Sequence, residues 1–352
     1  MKKIFIGVDF SKKTFDVTML REYDDHNLEL GYSQFENKEK GFRAFYKWAK
    51  KTAPKGTQTQ WLICGETTGV YSVGLAEWAY SKGLDVWIEN AYTIKHSLGL
   101  TRGKDDKLDS RRIATYAQEK KRKAHLYKPL EATLKEIKVL LRRRQLLDTC
   151  RKAMENASKE DGMMYTDDPV LKEVYDKIKS IGSKIKDVEN ELQEEMTSLA
   201  CSDTTLAGNF SIVHSFCGIG DINTIAMLVY TNNFTKYDTA NEMATAWGVA
   251  PFGNRSGTSI NTPPHVSFYC NHWLKGLLTC AANAAIQYNE KIGAYYDRLI
   301  ERGKAKGVAY NNVKSKIIHI VFTMVQNKTV YDPLYDVKKK DSNKKGETKM
   351  LN

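Results

Sequence analysis

Four acidic residues stand where an α/β protein places its ligand-binding groups. Asp9 follows the apolar run 4–8, and Glu66 follows a second apolar run. Asp106 and Asp109 lie three residues apart at the start of a predicted helix, so their carboxylates share one helix face. The strand ends of an α/β sheet meet at the edge where ligands bind. We therefore expect these four acids to converge.

The chemistry that such a cluster could perform is metal-dependent phosphodiester transfer. Carboxylates held close together repel one another unless cations neutralise them, and Mg²⁺ takes oxygen ligands. Two ions about 3.5–4 Å apart stabilise the attacking and leaving oxygens of this reaction. We expect two Mg²⁺ per site, with Mn²⁺ as a possible substitute. Asp105 leaves the assignment open, because it could share a face with Asp109 or simply cap the helix.

A second kind of phosphate chemistry begins with a similar segment. Sugar kinases and actin-like ATPases also start with a short strand, an Asp and a phosphate-binding turn, much like GVDFSKKTFDV at 7–17. They additionally need a second phosphate-binding turn and a Gly-rich adenosine site deeper in the chain. The sequence has neither in the right order, which disfavours the ATPase interpretation.

Positive charge is concentrated in one stretch. The 352 residues include 54 Lys and Arg against 42 Asp and Glu, a net charge of +12. Residues 102–152 hold 17 basic and 7 acidic side chains. Focused positive charge indicates a polyanionic partner, nucleic acid first, although a solvated helical face would look similar. The candidate contacts are Lys104, Arg111, Arg112, Arg142, Arg143 and Arg144.

Several classes of protein are excluded by composition. A mean hydropathy of −0.51 with 41% hydrophobic residues is too apolar for wholesale disorder. The first apolar run is shorter than the roughly 7–15 residues of a signal-peptide core. The longest apolar run, 317–325, falls below the roughly 18 residues of a membrane span. Six scattered cysteines without CxxC spacing predict reduced thiols. We expect a cytoplasmic bacterial protein with no membrane partner.

The elements that must position the acids follow a regular order in residues 1–125. The hydrophobic patterns predict strands and helices in the order β-β-β-α-β-α-β-α. That order matches an RNase H-like, RuvC-like mixed-sheet domain. The predicted strands are 4–10, 14–20, 28–35, 59–66 and 84–91, and the predicted helices are 41–52, 70–82 and 108–120.

A long helical insertion is predicted over 126–204. A basic helix over 130–152 is followed by a polar link containing Gly162 and Pro169. A heptad then keeps one apolar stripe on a helix, which predicts a coiled coil within or between chains. Its members are Leu171, Val174, Ile178, Ile181, Ile185, Val188 and Leu192.

The remaining sequence predicts a mostly helical C-terminal domain over 205–335 and a disordered basic tail over 336–352. The segment 249–264 is rich in Gly, Ser, Asn and Pro and predicts a loop. Gly218 and Gly220 form a turn that opens a helix. Its backbone N–H groups could bind a phosphate, as in a helix-hairpin-helix, or the turn could simply connect packed helices.

Four segments together resemble a known family, the DEDD transposases of bacterial insertion sequences. They are GVDFSKKTFDV, CGETTGVY, KDDKLDSRRIA and WGVAPFGNRSGTS. The resemblance is to the IS-one-ten type, which includes the pilin-gene invertases, and it covers roughly 3–150 and 205–330. The family's K-T-D-x-x-D-A appears here with Asp105 in place of Thr and Ser110 in place of Ala. In that register the third and fourth acids are Asp106 and Asp109, and Asp105 is the extra one.

The resemblance also implies a nucleophile in the C-terminal domain. The family's G-x-x-P-x-x-x-x-S-G is matched here by Gly248, Pro251, Ser256 and Gly257. Ser256 is then the implied nucleophile, and its attack would give a covalent phosphoserine that conserves bond energy for rejoining. Ser259 is the alternative hydroxyl. Arg255, next to Ser256, could hold the phosphate bidentately or be solvated.

The implied function is that of a transposase or recombinase, which cuts and rejoins the DNA of a mobile element. Family membership implies a composite centre in which acids and serine come from different subunits. It also implies dimers through the heptad stripe and a tetramer for strand exchange. It further implies guidance by a structured non-coding (bridge) RNA that pairs with donor and target DNA. Two other functions stay open at this point: a RuvC-type metal-dependent junction nuclease that uses water, and a non-catalytic RNA-binding scaffold.

Overall fold

The structure is a computed structural model that describes residues 3–23, 26–97, 105–164, 168–256, 260–266 and 268–333. Within these ranges the side chains of 161–164 and 252–264 are outside the description. The chain divides into two compact units, Met1–Pro129 and Leu130–Asn352. Each unit is described by itself.

The first unit is a mixed five-stranded sheet with helices on both faces. The sheet order is β3-β2-β1-β4-β5, in which β1, β2 and β3 are antiparallel and β4 and β5 run parallel to β1. The predicted mixed α/β domain is therefore confirmed, with one unpredicted short helix, α3. The elements are β1 Ile4–Phe10, β2 Thr14–Glu22, β3 Asn27–Glu36, α1 Glu39–Thr52, β4 Trp61–Glu66, α2 Val70–Ser81, β5 Val86–Glu89, α3 Ala91–Ser97 and α4 Asp106–Glu119.

Strand β1 separates two cores because its side chains alternate between the two faces of the sheet. Ile4, Ile6 and Val8 belong to the core beneath α1 and α2, whereas Phe5 belongs to the core beneath α4. Gly7 lies on the α4 face, where an added Cβ would come within 2.0 Å of a backbone oxygen of that helix. The backbone of α4 therefore rests directly on β1, and Asp9, two residues on, faces the same side.

A buried hydrogen bond fixes α4 against β2 as well. The hydroxyl oxygens of Thr18 and Ser110 are 2.8 Å apart, and both residues are fully buried. Ser110 donates its own proton to the carbonyl oxygen of Lys107 at 3.0 Å, so Thr18 is the donor between the two hydroxyls. The start of α4 is thus held by polar contacts on one strand and by close backbone contact on the next.

The second unit is mostly helical, as predicted. None of the helices in the described part of the chain is long and apolar enough to cross a membrane. Residues of the predicted insertion and of the predicted C-terminal domain share one hydrophobic core, which includes Leu134, Met196 and Leu278. The elements are α5 Ala132–Met164, α6 Pro169–Ser202, α7 Thr204–His214, α8 Asp221–Tyr230, α9 Ala240–Ala246, β6 Pro251–Ser256, β7 Ile260–Val266, α10 His272–Tyr288, α11 Glu290–Glu301 and α12 Lys306–Asn327.

Helix α5 is longer than predicted. It runs to Met164, so the prediction that Gly162 belongs to a polar link was wrong. A glycine costs a helix only about 1 kcal/mol, and the long helix absorbs that cost. Pro169 begins α6, where its missing N–H is no loss. The carboxylate of Asp168 caps this helix by accepting from the backbone N–H of Val170 at 2.8 Å.

The heptad stripe lies on α6 but is only half covered within the chain. Leu171, Ile178, Ile185 and Leu192 are partly buried. The alternate members Val174, Ile181 and Val188 are 42%, 48% and 43% exposed. Helices α5 and α6 are joined by a charged contact, in which Arg151 Nε donates to Oε1 of the buried Glu189 at 3.0 Å. A coiled coil between chains stays a prediction.

The prediction of a loop over 249–264 was wrong. Strands β6 and β7 form an antiparallel hairpin there, with Asn254 opposite Thr262 and a register shift between Phe252 and Asn254. Gly, Asn and Pro usually indicate turns, but a two-stranded ribbon has free edges that need no N–H from proline. Composition alone therefore concealed the two strands.

Candidate active site

Four carboxylates form a row across one face of the first sheet. Asp9 on β1 lies directly opposite Asp16 on β2. The parallel pairing of β1 with β4 continues to the residues just before Asp9 and Glu66, so these two acids follow side by side. Glu66 in turn pairs with Glu89 on β5. Residues paired across neighbouring strands share a face, and this face is the one beneath α4.

The first turn of α4 adds two more acids, Asp106 and Asp109. The close contact of this helix with Gly7 brings its N-terminal end over the strand that carries Asp9. Asp105 is the N-cap, and its side chain accepts from the backbone N–H of Lys107 at 3.4 Å. This is the capping role that the sequence had left open for Asp105.

The pKa of Asp9 reflects the closeness of these acids. Burial, followed by the charges of Glu66, Asp109, Asp106 and Asp16, raises the pKa of Asp9 to about 6. Burial and the charge of Asp109 also raise the pKa of Glu66. The carboxylates predicted from the sequence therefore act on one another, and the ionised form of Asp9 is disfavoured unless a cation neutralises the cluster.

Two acids of the row were missed by sequence reasoning. Asp16 is 3% exposed and accepts hydrogen bonds from the hydroxyl of Tyr32 and from Gln34 Nε2. The bond to Asp16 raises the pKa of Tyr32 to about 12. Glu89 accepts from the hydroxyl of Tyr116 at 3.3 Å. Glu89 follows the strand-end rule that identified Asp9, and the pairing of two adjacent strands would have indicated Asp16.

The basic residues predicted to contact nucleic acid near this site mostly face acids. Arg112 Nη1 donates to Oδ1 of Asp109 at 2.7 Å. Arg111 Nε lies 3.5 Å from Oε2 of Glu29, and Lys107 Nζ lies 3.9 Å from the other oxygen of the same carboxylate. Lys104 lies outside the described residues. Nucleic-acid contact by these side chains stays a prediction.

The three arginines predicted on the basic helix differ in surroundings. Arg142 and Arg143 are exposed. Arg144 is partly buried and its Nε donates to the backbone oxygen of Glu189 at 3.3 Å, which ties α5 to α6. Two of the three therefore present free charge on the surface, and the third has a structural contact.

The predicted nucleophile lies in the second unit. Ser256 is the last residue of β6 and pairs with Ile260 on β7. The side chains of Ser256 and Arg255 are outside the description, and Ser259 and Gly257 lie outside the described residues. The structure thus places the backbone of Ser256 at the end of β6, paired with β7, and its role stays a prediction.

The turn that contains Gly218 and Gly220 has a clear packing role. Gly218 has a φ of +105°, and an added Cβ would meet the Ala281 oxygen and the Ala285 nitrogen at 2.8 Å. Gly220 caps α8 and has open space around it. Asp221 in the first turn of α8 lies 3.1 Å from His214 Nε2. Gly218 is therefore needed for close helix packing, and a phosphate contact stays a prediction.

The acid row matches a divalent cation in donor chemistry. All its donors are oxygens, as Mg²⁺ requires, and the charges of Glu66, Asp109, Asp106 and Asp16 raise the pKa of Asp9. Among the described residues, no three or more His, Cys, Asp or Glu side chains form a group that could hold a metal ion as they stand. The acids therefore suit a hard cation in the type and charge of their donor atoms. Their described positions do not form a complete coordination site.

Comparison with known proteins decides the family. A model of DEDD transposases of the IS110 type, described as Transposase, matches residues 6–160. A second model, described as the Transposase IS116/IS110/IS902 family, matches residues 211–297. The chain belongs to the IS110 family of transposases. The predicted family and the predicted class of enzyme, a DNA transposase or recombinase, are confirmed.

Two DNA-inverting proteins align with nearly the whole length of the transposase. The pilin gene-inverting proteins of Moraxella bovis and Moraxella lacunata are each 25% identical to it over 342 residues. Those alignments cover 94% of the transposase and 98% of each relative. A 43.6 kDa protein of insertion element IS110 from Streptomyces coelicolor is 30% identical over 121 residues, which span 34% of the transposase and 30% of that protein.

RuvC of Thermus thermophilus is one of the solved structures that match the transposase. It is 12% identical, with a TM-score of 0.25, and the match covers 35% of the transposase and 99% of RuvC. A TM-score of this size establishes no common fold. The assignment of the first unit as a mixed-sheet α/β domain therefore depends on the order and directions of its own strands.

Proposed function

We propose that this transposase cuts and rejoins DNA through a covalent phosphoserine on Ser256, at a centre whose acids are Asp9, Glu66, Asp106 and Asp109. The observation that supports the proposal is the placement of the acids, in which Asp9 and Glu66 follow paired strands beneath the first turn of α4 that holds Asp106 and Asp109. Burial and these carboxylates raise the pKa of Asp9 to about 6. A cluster of acids with so much uncompensated charge has a high energy unless it binds cations. Among the acids proposed to bind metal, Asp109 is paired with Arg112, whereas the pKa of Asp9 is raised by the acids around it.

The four acids would hold two Mg²⁺ ions, and Mn²⁺ would serve in their place. When bound, such ions supply positive charge to the attacking and leaving oxygens of phosphodiester transfer. The chain itself prepares the site. Close contact between Gly7 and α4 sets the helix acids over the strand acids.

The proposed covalent step begins at Ser256. Its Oγ attacks the phosphorus, the bond from phosphorus to the 3′ oxygen breaks, and the serine proton passes to solvent while the 3′ oxygen gains one. The product is a phosphoserine linkage with the energy of one phosphodiester. Attack by the 3′ hydroxyl of another strand reverses these changes and joins that strand in place of the original.

We also propose that the active assembly has several subunits. The exposed apolar residues Val174, Ile181 and Val188 on α6 offer a surface for a dimer contact, and two dimers would form a tetramer. The acids of one subunit would act with Ser256 of another. Exposed Arg142 and Arg143 would contact DNA or the structured guide RNA, which would select donor and target sites by base pairing.

The decisive experiment compares three variants in a recombination assay with Mg²⁺, DNA and any RNA that copurifies with the protein. Ser256→Ala should abolish recombination and the protein–DNA adduct on denaturing gels, while Ser259→Ala should keep both. Asp9→Asn should abolish cutting and joining. A Ser256→Ala protein that still cuts DNA without an adduct would identify a nuclease that uses water instead.

The subunit arrangement is tested by mixing the two inactive proteins. If acids and serine act across subunits, a mixture of Asp9→Asn and Ser256→Ala should recover part of the recombination activity. No recovery would show that both groups act within one subunit. Removal of the copurifying RNA by ribonuclease should abolish recombination, and unchanged activity would eliminate the guide RNA.

A further inference from the structure

Helix α1 carries a row of basic side chains that the proposed chemistry does not use. Arg43, Lys47 and Lys50 follow at spacings of four and three residues, so they lie on one helix face. All three are exposed. Phe42, Phe45 and Ala49 on the opposite side of the helix are buried against the sheet. The basic row therefore faces solvent on the side of the sheet away from α4 and its acids.

This row belongs to a second stretch with an excess of positive charge. Residues 38–55 contain seven basic side chains and one acid, Glu39. Arg43 pairs with that acid at 2.6 Å. Lys47, Lys50 and Lys82 have no carboxylate within ion-pair distance among the described residues. A solvated helix face usually mixes charges of both signs, whereas here the positive charge is almost uncompensated.

Two aromatic rings lie within the same surface. Glu39, Arg43, Tyr46 and Lys47 of α1, with Trp78 and Lys82 from α2 and its C-terminal end, line a groove of about 440 Å³ that we call the α1–α2 groove; the charge of Glu39 is balanced by Arg43. The ring centroids of Tyr46 and Trp78 are 5.8 Å apart at an angle of 75°. Both residues are partly exposed. Lys50 Nζ lies 4.4 Å from the Tyr46 ring centre, and Lys82 Nζ lies 5.8 Å from that of Trp78.

We propose that the α1–α2 groove binds a single-stranded segment of nucleic acid. Unpaired lysines attract phosphates, and aromatic faces stack unpaired bases in a way that tolerates any sequence. Base pairs in a duplex are stacked on one another and hide the faces that Trp78 and Tyr46 would contact. The groove has the size of a site for one small ligand, here one base with its sugar, while Lys47 and Lys50 extend along the strand.

The location of the groove gives the binding a distinct purpose. It lies across the sheet from the acid row, so a strand held there is not positioned for cutting by the acids of the same subunit. The groove would retain a nucleic-acid strand during the reaction without exposing it to the reaction centre. The inference extends the proposed function but does not depend on its covalent step.

The test is a binding titration in EDTA, where metal-dependent cutting is blocked. Fluorescence anisotropy would follow a labelled 12-nucleotide RNA, a DNA of the same sequence, and the corresponding duplex DNA. Lys47→Glu with Lys82→Glu should weaken binding of a single strand at least tenfold. Loss of two phosphate contacts should also reduce the salt slope for single strands by about 1.4. The duplex should lose less than threefold.

A matched control separates the groove from general charge. Lys172→Glu with Lys184→Glu on α6 changes the total charge by the same amount, and it should change single-strand affinity less than twofold. Equal losses in the two double variants would overturn the proposal. A loss confined to RNA or to DNA would identify which strand the groove holds.

A second measurement addresses the aromatic rings. Ultraviolet crosslinking of the bound strand, followed by mass spectrometry, should give adducts on peptides that contain Tyr46 or Trp78. Trp78→Leu keeps an apolar side chain against Phe42, and it should weaken binding about tenfold at a temperature where its circular dichroism spectrum shows it fully folded. Crosslinks elsewhere, with full binding by Trp78→Leu, would refute stacking in the groove. None of these readouts depends on Ser256 or on the acids.

Discussion

Arg112 and Asp109 form a hydrogen-bonded ion pair one turn apart on α4, with Nη1 of the arginine 2.7 Å from Oδ1 of the carboxylate. The same arginine was expected from the sequence to contact nucleic acid. In the structure it neutralises one of the acids proposed to bind metal. The pair therefore sets a competition between the guanidinium and a divalent cation for one carboxylate.

Removal of this competitor should tighten metal binding. We expect Arg112→Gln to increase Mn²⁺ affinity two- to fivefold in an isothermal titration, because partly exposed ion pairs contribute up to about 1 kcal/mol. Arg111→Gln is the matched control, since Arg111 lies beside Glu29 rather than an acid of the row, and it should leave the affinity unchanged. Weaker Mn²⁺ binding by Arg112→Gln would show that the arginine supports the metal site.

Asp9 should destabilise the metal-free protein at neutral pH. Its pKa is raised to about 6 in the folded chain, so between about pH 4 and pH 6 the folded state holds a proton that the unfolded state has lost. The free energy of unfolding therefore falls as pH rises through this window. Asp9→Asn should raise it by roughly 1–2 kcal/mol at pH 7.5, a figure reduced for the partial exposure of the side chain.

That gain should disappear near pH 4, and urea unfolding in EDTA at both pH values would measure it. Asp16→Asn provides a contrast of opposite sign. Asp16 is buried and accepts from Tyr32 and Gln34, so its replacement should lower stability at pH 7.5. If Asp9→Asn also lowers stability at pH 7.5, the acids of the row are not in mutual repulsion.

The hydroxyl pair between Thr18 and Ser110 should behave as a coupled unit. Ser110→Ala restores the residue usual in the family but leaves the Thr18 hydroxyl buried without this acceptor. We expect a loss of about 1–2 kcal/mol in the free energy of unfolding. The double variant Thr18→Val with Ser110→Ala should recover most of that loss in chemical denaturation. Simple addition of the two single effects would mean that the hydroxyls are not coupled.

Gly218 and Gly220 should respond differently to the same substitution. Gly218→Ala combines a positive φ with close contact to α10, so it should cost at least about 2 kcal/mol. Gly220→Ala places its methyl in open space at a φ of −94°, and it should cost less than about 1 kcal/mol. Thermal melting of both variants measures this difference, and equal losses would contradict the packing role given to Gly218.

The part of the site formed by local pattern could be predicted from the sequence. Asp9 and Glu66 each follow a buried strand, and Asp106 and Asp109 share the first turn of a helix, so strand ends and helix spacing were enough to find them. Asp16 was not found because its place depends on how two strands pair, and register is not encoded in one strand alone.

The part of the fold set by tertiary context was harder to predict. The hairpin β6–β7 is rich in residues typical of turns, and only its pairing reveals that they are strands. Gly162 indicated the end of a helix, but α5 continues past it to Met164. In both places the local preference amounts to about 1 kcal/mol per residue, which neighbouring contacts exceed.

The alternation of β1 between two cores makes its length more critical than its composition. Insertion of one residue between Ile4 and Asp9 would turn the carboxylate into the apolar layer under α1 and bring a bulky side chain against α4. Exchanges among Ile, Val and Leu at positions 4, 6 and 8 would leave Asp9 in place beneath α4. Related transposases should therefore exchange aliphatic side chains at these positions while they conserve Gly7 and the number of residues in the strand.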